Sequence, residues 1–206
     1  MATACGGESL PTTGAASNVN GIVQRAVFED GLLELRQCPF DNELILTAAS
    51  SAAEEIATDD GRLVGEYEAV VYELDQGQPS SVDCFWKASD ESASIGLSAS
   101  EAPDDFDRFI EVLYRIDDAD ENFKLRSLGS SEHRGGTLER LCASTPDSPE
   151  QNTCEVSWYD DEMLATVYLV DVDAASTDLD AMEDGLSSVL DELVGALADA
   201  EADTSD

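Results

Sequence analysis

Cysteine is the residue type whose spacing in this chain carries the most chemistry. Cys5 stands alone in Thr3-Ala4-Cys5-Gly6-Gly7, while Cys38, Cys84, Cys142 and Cys154 are spread through the body of the sequence. Small residues before a cysteine, with a polar flexible stretch after it, match the end of a bacterial lipoprotein signal, where the cysteine sulfur takes the lipid. Cys5 is therefore expected to be the lipid-attachment residue. The apolar segment of roughly 7 to 15 residues that such a signal needs would lie upstream of Met1; the competing reading is an ordinary cysteine in a loose N-terminus.

The other four cysteines are even in number and contain no Cys-x-x-Cys pair, and His133 is the sole histidine on hand to complete a mixed metal site. That pattern fits disulfides in an oxidising compartment better than zinc binding or thiol redox chemistry. Four cysteines allow three pairings. Cys142 and Cys154 flank a loop with Pro146 and Pro149 that can bring two strands together, which favours Cys142 with Cys154 and leaves Cys38 with Cys84. The opposing reading is four free thiols buried as small hydrophobes in a cytosolic protein.

Other candidate chemistry is weaker. Asp118-Ala119-Asp120-Glu121-Asn122 alternates oxygen ligands as a calcium loop begins, but Phe123 replaces the turn glycine and Gly129 the closing glutamate, so no metal is expected. His133 lies in the polar run Ser130-Ser131-Glu132-His133-Arg134-Gly135-Gly136 and reads as a solvated loop histidine rather than an acid/base group. No P-loop, dinucleotide fingerprint, Gly-x-Ser-x-Gly or His-Glu-x-x-His motif occurs. No catalytic residue and no cofactor is expected. A glycosidase-like carboxylate pair cannot be chosen among so many acids.

Charge narrows the function classes further. The chain has 46 Asp and Glu against 10 Lys and Arg, a formal net charge of -36. Phosphate backbones would repel it, which argues against nucleic acid. Anionic headgroups would repel it too, so a covalent lipid is the expected route to a membrane. Acidity spread along the whole length fits solubility in high salt better than a single cationic partner.

These residues must be held by a fold, and 42% hydrophobic content with clear periodicity supports a packed core. Residues 1–19, rich in Gly, Ser, Thr and Ala, read as a flexible tether, 20–200 as one domain and 201–206 as an acidic tail. Within the domain, 22–28 and 32–36 around Glu29-Asp30-Gly31 read as a hairpin. A helix is expected from Asp41 to about 57, another from Pro103 to about 116, and a third over about 177–199. Strands are expected near 63–74, 81–88, 93–100, 122–128, 136–143, 152–159 and 163–172. Cys84-Phe85-Trp86, then a strand and a helix, is echoed by Cys154 and Trp158, then a strand and a helix, a possible internal duplication. The expected fold class is α+β: a mostly antiparallel sheet carrying about three helices, with two disulfides.

A cysteine just ahead of a helix (Cys38 before 41–57), a Cys-x-Trp strand (Cys84-Phe85-Trp86) and a later pair ending on the Trp158 strand together resemble actinobacterial secreted lipoproteins. Relatives of that family include the extracellular sensor domains of mycobacterial receptor serine/threonine kinases. The resemblance covers roughly 36–200 and implies a disulfide-stapled sensor or binding fold. The extreme acidity departs from it and is also found in extracellular proteins of haloarchaea.

The leading expectation is a non-catalytic extracytoplasmic lipoprotein on the outer face of the cell membrane, serving as a ligand-binding or sensor module or as an accessory subunit of a membrane complex. Its partner would be an extracytoplasmic protein or a small ligand, and the chain alone would be a monomer. The alternatives are a hydrolase using scattered carboxylates and an acidic cytosolic halophile protein with free thiols.

Overall fold

The structure, a computed structural model, describes residues 9–49, 65–72, 79–88, 94–113, 124–145, 148–172 and 177–200. Cys5, the residues of the calcium-like sequence 118–123, and the 201–206 tail lie outside them.

The first element corrects the tether expectation. Helix α1 spans Thr12–Gln24 and continues as a π-helical turn, Arg25–Glu29. Ala15, Ala16, Val19, Ile22, Val23 and Ala26 recur at helical spacing and are all buried. Their small size masked the stripe, because Gly, Ser, Thr and Ala are also the residues of flexible linkers. Asn18 fixes the helix by donating from Nδ2 to the carbonyls of Leu197 and Ala198, at 3.1 and 3.2 Å. The Thr12 hydroxyl donates to Asp160 Oδ2 at 2.6 Å.

The hairpin expected over 22–36 is corrected by the same helix, since its first arm is helical. Gly31, at φ 67°, turns the chain out of the π-helical segment. Beyond it Glu34 makes an isolated antiparallel bridge with Val70, supported by Leu35 N–H to Ala69 O and Val71 N–H to Leu33 O. The next helix, α2, is described over Asn42–Ala49. Asp41 begins it as expected, its Oδ1 accepting from Glu43 N–H.

Seven strands follow: β1 Gly65–Tyr72, β2 Ser81–Ala88, β3 Ser94–Glu101, β4 Lys124–His133, β5 Gly136–Thr145, β6 Ser148–Tyr159 and β7 Met163–Val172. They form one sheet in the order β1-β2-β3-β7-β6-β5-β4, and every neighbouring pair is antiparallel. Helix α3, Phe106–Leu113, lies between the two meanders in sequence, and α4, Leu179–Asp199, closes the described domain. The α+β class, the dominant antiparallel sheet and both disulfides are as the sequence indicates, with four α-helices among the described residues.

Strand alternation sorts the sheet into two unlike faces. Val82, Cys84, Ile95, Leu97, Val167, Leu169, Cys154, Val156 and Trp158 point toward α1, α2 and α4 and form the core with them. The α4 stripe of Met182, Leu186, Val189, Leu190, Leu193 and Leu197 completes it. Where α4 crosses α2, Gly185 permits backbone contact: a Cβ there would lie 2.5 Å from Thr47 O and closer still to Ala48 O. The opposite face meets α3, where Phe106 stacks on Tyr159 with ring centroids 4.0 Å apart.

The echoed segments occupy matching places, because β2-β3-β7-β6 reads the same from either side of the β3–β7 seam. Cys84 and Cys154 both point to the helix-covered face and are wholly buried. The symmetry stops at the strands: α3 meets the face away from α4.

Candidate functional site

The four body cysteines are all buried and joined as Cys38–Cys84 and Cys142–Cys154. Alternation in β5 and β6 sets the second pair directly opposite in register, with Cα atoms 4.2 Å apart. The first pair spans 6.0 Å between Cα atoms and ties the segment before α2 to β2. Its closed loop holds 46 residues of separation against 12 for the other, so it removes more freedom from the unfolded chain.

Cys38 also forms part of a cleft of about 480 Å³. Three pieces of chain make its walls: the end of α1 with the π-helical turn, the irregular run from Asp30 to Pro39, and the C-terminus of α4. Ile22, Leu35 and Pro39 supply apolar surface, and Arg25 and Arg36 bring two guanidinium groups. Asp30, Glu34 and Asp199 add three carboxylates. Arg25 follows α1 directly, so its placement depends on the helix that the composition concealed.

The arginines here differ from Arg134 and Arg140. Arg140 pairs with Asp180 and with Glu183, the latter at 2.5 Å, and Arg134 pairs with Asp191, so β5 and its hairpin clasp α4. The hydrogen bond to Glu183, ahead of the surrounding charges, raises the Arg140 pKa. Arg25 and Arg36 form no ion pair with a described residue.

A second polar group lies on the opposite face of the sheet. Asp83 projects from the middle of β2 between Val82 and Cys84, and its Oδ1 is sealed from solvent without a hydrogen-bond partner among the described residues. Burial pushes its carboxyl up to about 7; a hydrogen bond from Tyr168 opposes the rise and the charge of Glu155 adds to it. Tyr168 reaches toward Asp83 because Gly96 on β3 has no side chain: a Cβ there would overlap the end of the phenol ring. Burial first, then the Asp83 charge, raises the Tyr168 hydroxyl well above its ordinary value. Tyr72, at the end of β1, is raised by burial and then by Asp83 and Glu68. Neither Asp83 nor Glu155 lines the cleft.

His133 corrects the solvated-loop reading. It ends β4 opposite Gly136, in a hairpin turned by Arg134 at φ 49° and Gly135 at φ 85°. The ring is half-buried, its Nε2 is enclosed without a described partner, and its carbonyl accepts from Trp158 Nε1 at 2.9 Å. Gly136 packs directly on Trp158, where a Cβ would lie 2.5 Å from the indole ring.

The sequence reading missed both the cleft arginines and Asp83. For Asp83 a signal existed: a charged residue in the centre of an apolar strand is unfavourable unless something answers it. Among the described residues no group of three or more His, Cys, Asp or Glu is placed to hold a metal ion. No described helix is long and apolar enough to cross a membrane.

The arrangement defines a disulfide-stapled α+β domain, a seven-stranded antiparallel sheet with three of its helices on one face. No protein-family model matches the chain, and no curated protein matches it. Among solved structures, the cyanobacterial PsbP protein CyanoP from Synechocystis sp. PCC 6803 is similar at 13% identity and a TM-score of 0.33. The match covers 65% of this chain and 84% of that one.

Proposed function

We propose that the protein is a non-catalytic extracytoplasmic ligand-binding module, of the sensor or accessory type, held at the outer face of the membrane by a lipid on Cys5. The observation that carries this reading is the cleft whose wall contains Cys38, fixed to the sheet by the disulfide to Cys84. A structural disulfide at the wall of a cavity suits an oxidising compartment and keeps the cavity shaped before any ligand arrives, which lowers the cost of binding. Its size lies within the range of small-molecule sites.

Two experiments test the reading. Mass spectrometry after alkylation without reductant should find no free thiol among Cys38, Cys84, Cys142 and Cys154; four alkylated thiols in protein taken directly from cells would refute extracytoplasmic residence. A thermal-shift screen of amino acids, sugars, organic acids and nucleosides against the oxidised protein should give at least one stabilising ligand, whose effect weakens when Cys38 and Cys84 are both replaced by serine. For the anchor, Cys5→Ser in cells should move the protein from the membrane fraction to the soluble one.

A further inference from the structure

We infer that the cleft takes a small zwitterion of the α-amino acid class, with its carboxylate on Arg25 and Arg36 and its ammonium group toward Asp30, Glu34 and Asp199. The inference rests on the ligand-binding reading above and names the ligand for that same site. Its first support is the scarcity of cations. The chain has only 10 basic residues. Arg134 and Arg140 are committed to α4, and Lys87 and Arg108 are also engaged in interactions of their own. Arg25 and Arg36, without ion pairs among the described residues, meet in one cavity. Two guanidinium forks on one concave surface match a carboxylate, whose two oxygens accept paired N–H bonds.

Charge balance then selects among carboxylates. A simple anion approaching a protein of net charge -36 is repelled at long range, and three carboxylates in the cleft would oppose it at short range as well. A simple cation would answer the acids and leave both arginines unanswered. A zwitterion meets neither objection, because its net charge is zero and each of its ends has an opposite charge in the cleft. The end of α4 adds to this polarity. Ala196, Asp199 and Ala200 line the cleft at the helix C-terminus, where the peptide dipoles leave partial negative charge suited to an ammonium group. Ile22, Leu35 and Pro39 provide an apolar wall for an aliphatic side chain.

The test uses the full oxidised chain and isothermal titration calorimetry with L-leucine, 4-methylpentanoate (leucine without its amino group) and 3-methylbutylamine (leucine without its carboxylate). L-leucine should bind, and each truncated analogue should bind at least about tenfold more weakly, the scale of one lost charge-assisted hydrogen bond. Arg36→Gln should weaken L-leucine by a similar factor with unchanged melting temperature, since that exposed side chain has no described ion pair to lose. Equal binding of L-leucine and 4-methylpentanoate, or full affinity in Arg36→Gln, would overturn the inference. A broad screen in which only sugars or nucleosides stabilise the protein would overturn the amino acid assignment and leave the ligand-binding reading standing; a screen with no stabilising compound would remove both.

Discussion

Asp83 offers the sharpest test of the energetics, because one substitution removes its charge and keeps its shape. Folding raises its carboxyl from the ordinary 3.8 to about 7. At about 1.4 kcal/mol per pKa unit, ionising it inside the folded protein costs about 4 kcal/mol more than ionising it in the unfolded chain. The folded state thus holds a proton that the unfolded state has released. The contribution is fully present below pH 3.8, declines by up to about 1.4 kcal/mol per unit as pH rises, and is lost once pH passes about 7. Asp83→Asn cannot ionise, yet its amide oxygen still accepts from Tyr168. Relative to the parent, the variant should therefore gain stability steadily from pH 4 to pH 7, by about 4 kcal/mol in total, then level off. The assay is urea unfolding across that range at constant ionic strength, followed by fluorescence of the buried Trp158. Titrating groups not coupled to Asp83 cancel in the difference, and a constant offset between the neutral acid and the amide shifts the curve without tilting it. A difference that stays flat between pH 4 and pH 8 would refute the claim that Asp83 is protonated by burial.

Further predictions concern packing and the staples. Gly185→Ala should cost about 1–3 kcal/mol in urea unfolding, because its Cβ would meet the α2 backbone at Thr47 and Ala48 rather than a side chain able to turn aside. Val19→Ala should cost about 2 kcal/mol, the scale of a cavity in a sealed core, since Val19 is wholly buried; a tether residue would show no change. Replacing Cys38 and Cys84 together by serine should cost about 4 kcal/mol, and replacing Cys142 and Cys154 about 3, from the chain entropy of loops with separations of 46 and 12. The reverse order in calorimetric melting would show that native-state packing outweighs loop closure. Gly96→Val should force Tyr168 off β3 and leave Asp83 without that donor, raising its midpoint in NMR titration.

Legibility followed how distinctive each residue is against its background. The Trp158 strand and β7 were readable because cysteine, tryptophan and alternating Val, Leu and Tyr have few other uses, and Cys142–Cys154 followed from two strands with a short connection. Helix α1 was hidden because its buried stripe is built largely from Ala15, Ala16 and Ala26, and alanine serves a linker as readily as a core. Asp41 correctly marked the start of α2 through its cap. Of Glu29-Asp30-Gly31, Gly31 does turn the chain, but Glu29 belongs to the π-helical segment, and the identity of the arm before the turn depended on helical spacing running back to Ala15. A local turn signal says where the chain bends, not what it joins.

The candidate site was out of reach because its residues are either too common or too far apart in the chain. In a chain with 46 acids, one more acid carries almost no information, so the carboxylates of the cleft could not be singled out. Scarce cations carry far more. Arg134 and Arg140 are used to clasp α4 against the sheet. Arg25 and Arg36 lie 11 positions apart with a π-helical turn and Gly31 between them, and no sequence periodicity connects them. Only the fold brings them to one cleft, beside the end of a helix more than 150 residues further along the chain. Because surface ion pairs are worth little in water, leaving both arginines without ion pairs among the described residues costs the folded state little. Both line the cleft that an incoming carboxylate would enter.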